Sequence, residues 1–95
     1  MQEIYSIFGR SKYVETYIAI INKSLLEDRS YTKGVHEYHH ILPKSLGGTD
    51  MPSNLATLTV REHYICHLLL LFAAKKTENK RLIIKQIYSV NAFIL

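Results

Sequence analysis

The chain has 95 residues, 47% of them hydrophobic, which is too apolar for a disordered tail and enough for one small domain near the lower limit that a core supports unaided. A formal charge of +4, from 12 Lys+Arg against 8 Asp+Glu, suits a polyanionic partner without requiring one. Cys66 is the only cysteine, so an internal disulfide is excluded and a reducing, cytoplasmic location is expected. The longest apolar run, 68–74, is far too short to span a bilayer, so no membrane partner is expected.

Residues 1–10 have neither the basic start nor the apolar stretch of a secretory leader. Val14, Tyr17, Ile18, Ile21 and Leu25 then recur at three- and four-residue steps, which predicts an amphipathic helix over about 11–28 with Ser11 as its N-cap. Residues 28–34 break that pattern and read as a loop. A strand is expected over 35–42, ended by Pro43. Gly47-Gly48 and residues 49–53 form a long polar turn region, and 54–58 reads as a second short strand. Thr59 followed by Glu62 is a capping-box pattern, so a helix should begin at Val60 and run to about residue 75. Leu82, Ile83, Ile87, Val90 and Ile94 predict a last helix over about 79–93. Its apolar end, Ala92-Phe93-Ile94-Leu95, reads either as a helix tucked into the core or as the front part of a longer chain.

Four of the five histidines sit in the strand–turn–strand–helix middle: His39, His40, His63 and His67. His63 and His67, four apart on a helix, share one face with about 5–6 Å between Cβ atoms, which suits two ligands of one metal. Their neighbours Tyr64, Ile65, Leu68, Leu69 and Leu71 are apolar, so both imidazoles need partners. His39 and His40 are adjacent in a strand and therefore face opposite ways. If one supplies a third ligand, the other is left free beside it and can take a proton near neutral pH. Three imidazoles leave a coordination position open, as in catalytic rather than structural sites. Cys66 should point away from the histidine face, and no fourth ligand is evident. Metalloprotease patterns fail on order: Glu62 lies outside the pair His63–His67, and Thr59 occupies the first position of the inverted pattern.

Glu37-Tyr38-His39-His40-Ile41-Leu42-Pro43, Gly47-Gly48, Asn54-Leu55, Arg61-Glu62-His63 and His67, taken in that order, resemble the HNH endonuclease motif, and most closely the HNH homing endonucleases of bacteriophages. The motif core covers 37–67, about a third of the chain, with helices over 11–28 and 79–93 flanking it in a single domain over 1–95. The resemblance implies an α+β fold with a ββα-metal (His-Me finger) core, a short β-hairpin packed on a helix around one divalent ion. Position by position, His39 resembles the strand ligand of the His-rich members such as the colicin-type DNases, and His63 and His67 resemble the helix ligands. His40 resembles the general base, Asn54 the asparagine that orients it, and Glu37 an acid that supports the site. Arg61 and Lys44 are candidate phosphate contacts. The implied reaction is hydrolysis of double-stranded DNA to a 5′-phosphate and a 3′-hydroxyl, by a monomer or weak homodimer. Three imidazoles suit zinc or nickel, while turnover with magnesium or manganese is equally compatible.

Two departures stand out. The cysteine pairs that hold a structural zinc in many members are missing, and these 95 residues contain no second DNA-binding module, which leaves target specificity open. Each site residue also has a plainer reading: unmetallated histidines, a structural strand residue at position 40, a turn-stabilising Asn54, and solvated charges at Glu37, Lys44 and Arg61. His36 is expected to be exposed and incidental, and 68–72 to be core. The rival functions are a metal-stabilised DNA-binding module that does not cut and a folded remnant that has lost activity.

Overall fold

The computed structural model of the protein describes residues 1–94, the side chain of Ile94 excepted; Leu95, read above as part of the apolar end, lies outside the described residues. The chain is α+β. In order it forms α1 (Gln2–Phe8), α2 (Lys12–Leu26), β1 (His36–His40), β2 (Leu55–Thr59), α3 (Val60–Thr77) and α4 (Lys80–Ile94), with single 3-10 turns at Lys44–Leu46 and Pro52–Asn54 between the strands. No helix among the described residues is long and apolar enough to cross a membrane.

Ser11 caps α2 as its sequence position suggests, its side chain accepting the Val14 N–H. The stripe of Val14, Tyr17, Ile18 and Ile21 is buried. The two strands pair antiparallel from His36 opposite Thr59 to His40 opposite Leu55. Alternation sends Glu37 and His39 to the face shared with buried Ala56 and Leu58, and His36, Tyr38 and His40 to the other. Strand β2 runs into α3 without a loop. Thr59 and Glu62 form the reciprocal capping box there, so the first turn of α3 is fixed against the hairpin.

Arg29 adds a second lock. It donates to the Thr57 carbonyl and makes a two-pronged ion pair with Glu62, one prong at 3.0 Å. This pair holds the Glu62 carboxyl down at about 2, first through the Arg29 hydrogen bond, against the opposing effect of burial. The loop between α2 and β1 is thereby tied to the start of α3.

Four details differ from the sequence expectations. Helix α1 was not foreseen: its seven residues are too few for a periodic signal, and it is held by burial of Ile4 and Phe8 rather than by propensity. Phe72 is 39% exposed and lies against Tyr13. The buried stripe of α3 runs through Cys66, Leu70, Ala73 and Ala74, and residue 72 sits about 200° round the helix from 70. On α4 the inward positions are Leu82, Gln86 and Val90, while Ile87 faces outward. His36 is half-buried and not incidental, its Nδ1 accepting the Thr32 N–H at 3.0 Å.

Candidate metal centre

The inward face of β1 meets the first two turns of α3 at three histidines. One nitrogen from each of His39, His63 and His67 lies within 4.8 Å of the other two, and the ring centroids are 5.0–5.1 Å apart. The i,i+4 spacing on α3 and the alternation of β1 together produce this convergence.

The hydrogen bonds around the rings settle which nitrogens carry protons. Tyr17 has one hydroxyl hydrogen and donates it to the Ile41 carbonyl at 2.6 Å. Its oxygen, 2.7 Å from His39 Nε2, must then accept, so the His39 hydrogen sits on Nε2 and Nδ1 keeps a bare lone pair. That Nδ1 is buried and finds no partner among the described residues. On His63, Nδ1 donates to Glu37 Oε1 at 2.9 Å, which leaves Nε2 as the lone-pair nitrogen. It faces His67 Nε2 at 3.3 Å.

Burial pushes His39 down to about 2 and His67 to about 4, with the neighbouring imidazoles adding to both shifts. At neutral pH both rings are uncharged, the form that ligates metals. Two nitrogens on one tetrahedral ion, each about 2.0–2.1 Å from it, stand about 3.3–3.4 Å apart. The His63–His67 separation and the orphaned His39 Nδ1 therefore fit a small divalent cation. Tyr17 and Glu37 take the outer N–H groups, as polar partners of metal-bound histidines do. His67 Nδ1 has no such partner among the described residues.

His40 lies on the rim. Its side chain is 32% exposed, and Nε2 stands 2.7 Å from Asp50 Oδ1. Lys44 Nζ bonds the other Asp50 oxygen at 3.0 Å. These contacts, the His40 hydrogen bond first, hold the Asp50 carboxyl below its usual value. His40, Lys44, Tyr38 and Ser89 line a cleft of about 270 Å³ whose wall includes His63 and His67. Phe93 of α4 closes another side, its ring 4.9 Å from His63 and 5.4 Å from His67.

Asn54 makes no hydrogen bond to His40. Its side chain accepts the Leu42 N–H and donates to the carbonyls of Leu42 and Thr49. It thereby closes the loop that follows His40 and carries Lys44 and Asp50. Gly48 is needed in the same closure, since a Cβ there would lie 1.8 Å from the Leu42 carbonyl oxygen. The orientation expected of Asn54 is thus exerted on backbone, and the group bonded to the His40 ring is Asp50. Lys44 is at the cleft. Arg61 is exposed on the first turn of α3 beside Val60, Tyr64 and Phe93. Sequence reasoning missed Asp50, Tyr17 and Phe93. For Tyr17 a signal existed, a tyrosine on an apolar helix stripe whose hydroxyl must find a partner.

Against this geometry, the similarities of the chain are informative. It is 43% identical over 60 residues to Probable mobile endonuclease B of Enterobacteria phage T4, an alignment covering 61% of this chain and 23% of that protein. It is 38% identical over 58 residues to Probable mobile endonuclease E of the same phage, covering 61% of this chain and 40% of the relative. Probable mobile endonuclease C is 51% identical over 39 residues, 41% of this chain and 19% of its own length. The chain thus spans well under half the length of these relatives. No family model matches it, and no solved structure matches it.

Proposed function

We propose that this chain, as one domain, is the nuclease part of a metal-dependent DNA endonuclease of the HNH type, with a ββα-metal core and a homing-type role. One observation carries the reading: three imidazoles converge on one point, while the adjacent His40 stands outside that cluster, on the rim of the cleft that His63 and His67 also line, and is held by a carboxylate. A structural metal site needs the first feature and has no use for the second. The names of the T4 relatives, mobile endonucleases, point the same way.

His39, His63 and His67 would hold the ion. Bound there, a divalent cation supplies Lewis-acid stabilisation of negative charge on the phosphate and on the leaving 3′ oxygen. The chain's own groups do the rest. Asp50 accepts the His40 Nε2–H and so fixes the tautomer that leaves Nδ1 basic. Nδ1 removes a proton from the attacking water as the new P–O bond forms and the P–O3′ bond breaks. The 3′ oxygen takes its proton from solvent, giving a 5′-phosphate and a 3′-hydroxyl. Glu37 and Tyr17 keep the ligand rings in place. Lys44 at the cleft and Arg61 on α3 are the phosphate contacts, and double-stranded DNA is the substrate.

Plasmid nicking with zinc, nickel, magnesium and manganese, and with EDTA, tests the reading. Nicking with at least one metal and none in EDTA is expected. DNA binding without nicking under any metal would transfer the chain to the class of metal-stabilised binding modules.

A further inference from the structure

The outward face of β1 carries an aromatic pair with no part in the chemistry so far. Tyr38 stands two residues before His40, on the same side of the strand. The ring of Tyr31 lies flat on it, with centroids 4.7 Å apart and planes within 17°. Both remain open to solvent, Tyr31 at 45% and Tyr38 at 54%. Tyr38 lines the cleft shared by His40, Lys44, His63 and His67.

Tyr31 belongs to the loop that Arg29 ties to the Thr57 carbonyl and to Glu62, so the pair is presented on an anchored support. His36, on the same face of β1, also stands near Tyr31, with ring centroids 6.5 Å apart and planes tilted by 46°. Packing the loop onto the strand accounts for one face of each ring. It does not account for large aromatic surface left exposed beside a cleft that holds the candidate base.

We propose that Tyr31 and Tyr38 form a stacking platform for a nucleobase adjacent to the phosphate in the cleft. This rests on the DNA-cutting reading and narrows its substrate class. In a regular duplex, neighbouring base pairs cover both faces of every base. A platform can therefore engage only a nucleotide displaced from the stack, as at a bulge, a gap or a kinked step. Stacking of this kind tolerates any sequence, because every base has a π-face. Lys44 in the same cleft supplies the positive charge that the flanking phosphate requires. The preferred substrate is duplex DNA with a locally unstacked nucleotide beside the scissile bond.

The test is fluorescence anisotropy with a labelled short duplex, either fully matched or carrying one unpaired adenine, in EDTA so that no strand is cut, with the fold of each protein checked by circular dichroism. The wild type is expected to favour the bulged duplex by roughly five- to a hundredfold, the usual range for stacking one base on an aromatic ring. Tyr38→Leu keeps an apolar body but loses the ring, and should bring the ratio close to one while leaving affinity for matched DNA unchanged. Tyr38→Phe should keep the preference, and Tyr31→Leu should weaken it. Equal binding of both duplexes by the wild type, or a preference that survives Tyr38→Leu, overturns the platform while leaving the nuclease reading in place. Failure to bind either duplex removes the DNA reading and the platform with it.

Discussion

His39 and His40 are neighbours in the chain with the same side chain, yet they sit in two different regions of the molecule. His39 is fully buried, bonded through Nε2 to Tyr17 and aimed through Nδ1 at two more imidazoles. His40 is on the rim, partly exposed and bonded to a carboxylate that a lysine also holds. A single peptide step across a strand separates the buried histidine proposed as a ligand from the rim histidine proposed as the base. The inner region is desolvated, which holds His39 and His67 below the ordinary imidazole value. The outer region is partly exposed and carries the charges of Asp50 and Lys44. The comparison assigns separable roles, and substitutions in each region should separate them.

The largest effect is expected from removing an inner ligand. His67→Ala should lower zinc affinity on the order of a hundredfold or more, since losing mere outer-shell support already costs about 10–100-fold. It should abolish cleavage and lower the zinc-loaded melting temperature together. Isothermal titration with zinc and a melting curve check this, and unchanged zinc affinity would break the inner half of the comparison. Next come the groups that hold the rings. Glu37→Ala and Tyr17→Phe each remove the acceptor of an outer N–H and should weaken zinc binding by about 10–100-fold while the fold persists. Asp50→Ala acts on the other region: cleavage should fall, by less than in His40→Ala, with zinc affinity unchanged.

The smallest effect is in acid. His39 and His67 have folded values below the ordinary 6.5, so the unfolded chain binds protons first. The stability they confer is fully present above about pH 6.5 and is lost as pH falls, through about 4 for His67 and toward about 2 for His39. Glu62, held at about 2, contributes its own loss only below about 4.5. Metal-free protein should therefore melt lower at pH 5 than at pH 7, by about 4–8 °C for each kcal/mol lost. Thermal melts in EDTA check the sign, and a higher melting temperature at pH 5 would contradict it.

Much of this was legible in the sequence because the signals are local. Thr59 and Glu62 announce the start of α3, Ser11 that of α2, and the histidine spacing follows from helix and strand geometry alone. What escaped was tertiary. Asp50 reaches His40 only because Asn54 and Gly48 fold the loop between them back on Leu42. Tyr17 reaches His39 across 22 residues, and Arg29 reaches Glu62 across 33. Helix α1 gave too short a pattern to read. On α4, Ile87 looked like the core residue, while the register buries Gln86.

In the proposed mechanism His40 acts as a base without touching the metal, and one paired measurement on His40→Ala tests this: zinc affinity by titration and single-turnover nicking of supercoiled plasmid, both against wild type. Zinc affinity is expected to stay within about twofold and nicking to slow by about 10²–10⁴-fold, the worth of a positioned general base. Nicking at the wild-type rate, or loss of zinc binding in step with the loss of nicking, would contradict it.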